Sequence, residues 1–250
     1  MFGFRFLIFN FFFVNLYIPM NSFIKLCESY YQANGRPMKI NVSGNIGSGK
    51  STFCEKLVQR HPSIYLIKEP VHIMRRYEDV DGEYRNLLEE FYQGKIDGVV
   101  FQYLMIEILM KYNEEEYRKA CAIPHIRTVL FDRSVVDTIE MFSRLISKDF
   151  YNGIVDSAID SVVQKQIYPD LFIFLRSDGG KCKKRITMRG RPEEVGISEK
   201  YLYDLEGALG EFEKKVLRFN QTVVSVDIDT ECLNENEVFD KILNGFNLFF

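Results

Sequence analysis

The densest chemistry in the chain lies in GNIGSGKST, residues 44–52, where three glycines, one lysine and a run of hydroxyls follow each other without a bulky side chain except Ile46. Gly44, Gly47 and Gly49 open backbone angles closed to other residues, so several N–H groups can turn into one hollow and bind an anion. Gly44, Gly49, Lys50 and Ser51 fit the spacing G-x-x-x-x-G-K-S/T, in which the lysine reaches terminal phosphates and the hydroxyl ligates magnesium. Gly44, Asn45, Ile46, Gly47, Ser48, Gly49, Lys50, Ser51 and Thr52 are therefore the candidate cradle, and a nucleoside triphosphate is the expected ligand.

Two further groups of residues could share that site. IKEP ends an apolar run with Glu69, and LFDRS ends another with Asp132, Arg133 and Ser134. An acidic residue at a strand tip beside a phosphate loop can support magnesium, directly or through water. Downstream, KCKKRITMRGRPEEVG carries Arg185, Arg189 and Arg191 next to Glu193 and Glu194, with Gly190, Pro192 and Gly196 marking a mobile segment. Arg185 and Arg189 fall on one helical face, and guanidinium forks match phosphate oxygens, so this stretch is expected to form a positively charged lid.

These residues need a scaffold that brings strand tips together. The apolar runs Lys39–Ser43, Ser63–Lys68, Thr128–Phe131, Leu171–Leu175 and Thr222–Asp227 are separated by long helical patterns, as in a parallel sheet covered by helices. MKINVS (residues 38–43) feeds the loop as a buried strand and STFCEKLVQ (51–59) leaves it as a helix. In such sheets ligands gather at the carboxyl ends of the strands. The first half of residues 99–120, VVFQYLMIEIL, is apolar nearly all round and is expected to be buried. The expected class is α/β, a P-loop NTPase fold with a five-stranded parallel sheet flanked by helices and an arginine-bearing lid.

Bulk composition narrows the function by exclusion. A net charge of -3 from 32 basic and 35 acidic residues gives no bulk attraction to nucleic acid. Five widely spaced cysteines, Cys27, Cys54, Cys121, Cys182 and Cys232, form no C-x-x-C pair and suggest reduced thiols rather than a disulfide framework or zinc site. His61, His72 and His125 show no ligand spacing. Residues 1–20, MFGFRFLIFNFFFVNLYIPM, approach the length of a membrane span but lack a cleavage site and the pattern of a transit peptide. Because Met38 opens the strand before the loop, we expect a start at Met20 or Met38, with residues 1–37 an apolar extension and residues 38–250 one domain. The expected address is cytoplasmic, or mitochondrial or membrane-associated if the extension is present.

The order GNIGSGKST, KEPV, NLLEEFYQ followed by FQ, FDRS and KRITMRGRPEEVGISEKYL resembles the deoxynucleoside kinase family, which includes deoxycytidine, deoxyguanosine and mitochondrial thymidine kinases and the insect multisubstrate enzyme. The resemblance covers the chain from Met38 onward. It implies ATP as donor with Mg2+, held by Ser51 and Asp132, and transfer to a deoxynucleoside 5′-hydroxyl for nucleotide salvage. By the same resemblance Glu69 is the general base, Arg133 holds the transferring phosphate, and Gln102 reads the base between Phe101 and Phe142. Tyr92 and Glu194 hold the sugar 3′-hydroxyl, and Arg185, Arg189 and Arg191 are the lid arginines. It further implies a homodimer and feedback by a deoxynucleoside triphosphate.

Three departures bear on substrate choice. Met74 stands where the family commonly has Trp, and the chain contains no Trp. The positions matching an Arg and an Asp of cytidine- and guanosine-preferring relatives are Leu109 and Thr138, although Asp137 is one residue away. An uncharged pocket points to a pyrimidine-leaning, possibly broad enzyme that accepts thymidine. Two rivals stand beside this reading. A thymidylate-type monophosphate kinase could use Arg75 and Arg76 for an acceptor phosphate, and a non-catalytic accessory subunit with this fold occurs in respiratory complex I.

Overall fold

A computed structural model describes residues 21–219 and 221–227. Helix α1 (Asn21–Asn34) leads into strand β1 (Met38–Gly44), the phosphate loop and α2 (Lys50–Arg60). Strand β2 (Ile64–Ile67) is followed by the short α3 (Val71–Arg75), the hairpin β3 (Tyr77–Glu78) and β4 (Tyr84–Arg85), α4 (Leu87–Tyr92) and the long α5 (Gly98–Cys121). Strand β5 (Thr128–Asp132) then runs into α6 (Val135–Asp137), a π-helical turn (Thr138–Phe142), α7 (Ser143–Ile146) and α8 (Lys148–Gln164). The chain continues with β6 (Leu171–Arg176), α9 (Gly179–Arg189), a 3-10 turn (Pro192–Glu194), α10 (Glu199–Arg218) and β7 (Thr222–Asp227).

The five long strands form one parallel sheet in the order β2-β5-β1-β6-β7. Because successive side chains alternate between faces, each strand feeds two layers. Val129 and Phe131 of β5 and Phe172 and Phe174 of β6 join one core, while Leu130, Leu171, Ile173 and Leu175 join the other. Strand β1 departs from this pattern. Its Met38, Ile40 and Val42 enter the second core, but the opposite face carries Lys39, Asn41 and Ser43, all buried. The central strand thus has a polar rail inside the molecule, and each polar group on it needs a partner.

Two expectations need adjustment. The first half of α5 is not buried all round: Val100 and Tyr103 are half exposed, while Phe101, Gln102, Met105 and Leu109 form one inward stripe at helical spacing. Helix α1, placed before the domain by the sequence reading, lies against the sheet with Cys27 buried in the second core and Leu26 and Tyr30 packed beside it. Arg36 grips Asp170 through both terminal nitrogens at 2.8 Å, and Arg127 pairs with Glu28. The apolar stretch 1–20, Cys232 and the domain's end beyond residue 227 lie outside the described residues. Among those described, Cys27, Cys54, Cys121 and Cys182 are free thiols, no cluster of three or more acidic, histidine or cysteine ligands occurs, and no helix is long and apolar enough to cross a membrane.

Candidate active site

Strand β1 ends where the loop must turn sharply, and the sterics explain its glycines. A Cβ at Gly44 would stand 2.7 Å from the Leu175 carbonyl oxygen, and one at Gly47 would stand 2.8 Å from that of Cys182, with Gly47 already at φ 79°. The loop therefore nests against β6 on one side and α9 on the other. Asn45 locks it by donating from Nδ2 to the Leu202 carbonyl at 2.7 Å and accepting Ile46 N–H at 2.8 Å. Lys50 begins α2 and folds back, its Nζ donating to the carbonyls of Gly44 at 3.0 Å and Asn45 at 2.7 Å. Burial, with Arg133 nearby, pulls the lysine down to about 8.

The loop opens onto a cavity of about 150 Å3. Ile46, Gly47, Gly49, Lys50, Ser51 and Thr52 form the end made by the loop. Glu69 and Arg133, from the tips of β2 and β5, stand between that end and an apolar chamber bounded by Met74, Phe101, Gln102, Thr138 and Phe142. Tyr92, Arg189, Arg191 and Glu194 complete the wall. The sheet order places β5 next to both β1 and β2, which is why residues from three separate strand ends meet here.

Arg133 is the most constrained of these residues. It is not glycine yet has φ 68°, a conformation that costs about 1–3 kcal/mol and persists only where the surroundings impose it. Its guanidinium lies 4.5 Å over the Phe142 ring and its Nε is 3.3 Å from Glu69 Oε1, an ion pair too poorly aligned to satisfy the Nε hydrogen. Burial alone would lower Arg133, but Glu69, Asp137 and Asp132 outweigh it and hold the charge. Asp132 lies beneath, nearly buried, with Oδ1 lacking any partner, and burial raises its carboxyl above the ordinary range. An unpartnered carboxylate oxygen beside Ser51 and Lys50 fits a small oxygen-preferring cation whose remaining ligands are phosphates and water.

The arginines expected to form a lid are engaged within the protein. Arg189 donates to both oxygens of Glu194 at 2.6 and 2.7 Å from Nη2, and at 3.1 Å from Nε, and Arg191 adds a contact at 3.3 Å. Arg185 does not reach the cavity wall. Its Nη1 donates to the Gly47 carbonyl at 3.2 Å and Ser177 Oγ at 3.0 Å, so in this arrangement it braces the phosphate loop from behind. Gly44, Asn45, Ser48 and Asp132 likewise shape or underlie the cavity without forming its wall.

The chamber is uncharged where base choice was in question. Thr138 is on the wall, but Leu109 is sealed in the core one turn beyond Met105, which lines the cavity instead. Asp137 is not returned to the chamber; it is 1% exposed and bonded to Asn41 and the Ser134 amide. Arg75 and Arg76 are also absent from the wall, Arg75 being paired with Glu193 and Arg76 stacked 4.5 Å over Tyr84.

Wall residues given no site role by the sequence are Val71, Leu88, Phe91, Met105, Glu193 and Tyr201, of which all but Met105 stand inside the motif stretches. Phe91 stacks on Phe101 with centroids 4.1 Å apart, and Tyr201 meets Tyr92 edge-on at 6.4 Å. Met105 follows Gln102 by three residues, so helical period from an assigned position would have found it. Tyr201 stands in the KYL that ends the last motif stretch, but no period ties it to the site, because the fold brings it to Tyr92 from more than a hundred residues away.

The sequence profile of the deoxynucleoside kinase family matches residues 40–250. Deoxycytidine kinase from Mus musculus is 28% identical over 194 residues, covering 68% of this chain and 73% of that protein, and the Homo sapiens enzyme is 27% identical over the same length. In structure, the chain resembles deoxyadenosine kinase from M. mycoides with bound dCTP, with a TM-score of 0.62, 23% identity, and coverage of 84% of this chain and 100% of that one. A second structure of that kinase holds dATP, with the same TM-score and identity.

Proposed function

This chain belongs to the deoxynucleoside kinase family, and from that premise we propose that it transfers the γ-phosphate of ATP to the 5′-hydroxyl of a pyrimidine-leaning range of deoxynucleosides, thymidine included, in nucleotide salvage. The observation that carries this reading is the shared cavity: Glu69, ion-paired with Arg133, faces the chamber on one side of a wall whose other end is Lys50, Ser51 and the loop amides.

Phosphoryl transfer needs positioning and charge neutralisation more than covalent help. Glu69 accepts the proton of the 5′-hydroxyl, and Arg133 orients that carboxylate and faces the moving phosphoryl group. Lys50 and the loop amides hold the donor's phosphates. Ser51 and Asp132 would hold Mg2+, which supplies further neutralisation of charge on the triphosphate. Glu194 has its lone pairs filled by arginines, so a sugar 3′-hydroxyl donating to it with Tyr92 must displace some of those contacts. The arginines so loosened are free to turn toward phosphate, which couples acceptor binding to closing of the lid and exclusion of water.

Base selection rests on Gln102 as the amide in a chamber otherwise walled by Met74, Met105, Phe101, Phe142 and Thr138. Met74 supplies adaptable bulk where a Trp would be rigid, which favours breadth. The monophosphate-kinase reading loses its support because Arg75 and Arg76 are committed elsewhere, and a carboxylate at the acceptor repels a phosphate. The accessory-subunit reading is disfavoured by the intact set Lys50, Ser51, Glu69 and Arg133.

The half-exposed Val100 and Tyr103 of α5, with Phe150 of α8 edge-on to Tyr103 at 5.2 Å, support a homodimer through these helices. The M. mycoides kinase with bound dCTP supports feedback by a deoxynucleoside triphosphate spanning chamber and loop. We place the kinase domain at residues 38–250, with α1 packed against its sheet as an added element, and its address in the cytoplasm. Phosphorylation of the four deoxynucleosides by the full chain with ATP and magnesium tests the proposal: turnover of thymidine or deoxycytidine is expected, and a strong preference for deoxyguanosine would overturn the pyrimidine assignment.

A further inference from the structure

Directly after Arg133, two consecutive backbone N–H groups are held by side chains from three separate elements. The Ser134 amide donates to Asp137 Oδ2 at 2.8 Å and to Asn41 Oδ1 at 3.0 Å, and the Val135 amide donates to Asn113 Oδ1 at 2.9 Å. Asn41 also donates from Nδ2 to Asp137 Oδ2 at 2.9 Å and to Ser43 Oγ at 2.8 Å. Asn41 comes from the polar rail of β1, Asn113 from the middle of α5, and Asp137 from α6; each is at most 1% exposed.

Local capping does not account for this arrangement. The N-terminus of α6 already has its own cap, with Ser134 Oγ accepting the Val136 amide at 3.2 Å and Asp137 returning to the Ser134 amide. Asn41 and Asn113 reach in from 93 and 22 residues away, and burying them is costly unless they fix something. What they fix is two consecutive peptide planes, Asn41 that of Arg133–Ser134 and Asn113 that of Ser134–Val135. The Ser134 N–H belongs to the peptide unit whose carbonyl is that of Arg133, so pinning it sets ψ of Arg133, the residue at φ 68°. With both angles set, the side chain leaves the backbone in the direction that lays it over Phe142 and against Glu69.

We propose that Asn41, Asn113 and Asp137 are positioning residues for the transfer, clamping the Ser134 and Val135 amides so that Arg133 keeps its left-handed backbone and its aim at Glu69. The assignment rests on the roles given above to Glu69 and Arg133. It also gives β1's buried polar face a purpose, since Asn41 carries the clamp from the central strand to the strand tip beside it. Asp137, one residue from the chamber, then acts on the reaction through a backbone rather than on the base.

The test is a set of variants in the full chain, read by kinetics and by hydrogen exchange over residues 133–137. Asn41→Ala and Asp137→Ala should each lower kcat about 10- to 100-fold, as expected when a catalytic group is misplaced by a fraction of an ångström to one ångström, with KM for ATP and nucleoside changed less than about threefold. Asp137→Asn, which keeps an acceptor oxygen, should restore most of the turnover lost in Asp137→Ala. In an Arg133→Ala background neither alanine variant should cause further loss. If Asp137→Ala does not fold, Asn113→Ala carries the same comparison. Unchanged kcat in Asn41→Ala, or an equal loss with and without Arg133, overturns the proposal. Hydrogen exchange separates this from the functional reading: a wild type inert toward every deoxynucleoside whose 133–137 amides still exchange faster in Asn41→Ala would sink the activity and keep the clamp, whereas unchanged exchange would sink the clamp.

Discussion

Strand β1 has a buried lysine near each end, and the two are treated differently. Lys39, at its start, and Lys50, just beyond its end, are both pulled from the ordinary lysine range to about 8, in each case first by burial. At the Lys39 end the protein supplies the counter-charge itself. Asp170 opposes the loss of charge, accepts the Lys39 amide at 2.8 Å and is clasped by Arg36, while Nζ donates to the Gln166 carbonyl at 2.9 Å. At the Lys50 end Nζ rests on neutral loop carbonyls, and the strongest charged neighbour, Arg133, is another cation. Structure is completed at one end by an internal anion. At the other, Asp132, Glu69 and Asp137 each weigh less on Lys50 than burial and Arg133 do, and a triphosphate would bring an anion into direct contact with Nζ.

The contrast can be broken most severely at the incomplete end. Glu69→Ala is expected to lower kcat by about 10²–10⁴-fold, the usual worth of a positioned general base, with ATP binding by calorimetry intact. Unchanged turnover would remove Glu69 from the role of base. Lys50→Ala should instead raise KM for ATP and reduce kcat/KM about 10²–10³-fold, as removal of a charge-stabilising donor does.

At the completed end the losses should fall on stability. Asp170→Ala leaves a half-buried arginine and the Lys39 amide without their acceptor and the buried lysine without its counter-charge, and should destabilise the protein by about 2 kcal/mol, with kcat at 25 °C preserved. A thermal melt beside a turnover assay checks both halves; lost activity without lost stability would erase the distinction between the ends. The smallest effect is in pH dependence. Because Lys39 sits at about 8 when folded and near 10.5 otherwise, the unfolded chain binds more protons between those values. Lys39 therefore contributes stability that rises with pH from about 8 to 10, and Lys50 contributes with the same sign, while the thiols of Cys27, Cys54 and Cys182, raised by burial, oppose them from about 9 upward. Lys39→Met should make stability change less favourably between about pH 8 and 10 than it does in the wild type, as urea titrations across this range would show.

Legibility in the sequence followed the length scale of each interaction. The phosphate loop was readable because its function needs fixed residue types at consecutive positions, and Glu69 and Arg133 were readable because strand tips converge in any parallel sheet. The five strands were legible as apolar runs. The burial of β1 was readable in MKINVS, but the partners of its polar face were not, since those of Lys39 and Asn41 lie as far away in the chain as Gln166 and Asp137. Leu109 was placed by counting along a helix, but the chamber ends one turn earlier, at Met105. Arg185 has the residue type of a phosphate ligand, yet its nearest acceptors are the Gly47 carbonyl and Ser177. Helix α1 was set apart by composition upstream of it, whereas Cys27 and Tyr30 pack with the sheet.

The bare contact between Gly47 and the Cys182 carbonyl has a mechanical meaning. With no side chain between them, the bend that grips the donor and the helix that carries the lid arginines touch backbone to backbone, like two gears cut without clearance. Rotation of α9 is felt at Gly47 without delay or cushioning. On the proposed roles of loop and lid, nucleotide arrival and lid travel would then be geared into a single movement, and a methyl group at residue 47, 2.8 Å from the Cys182 carbonyl oxygen, would jam it.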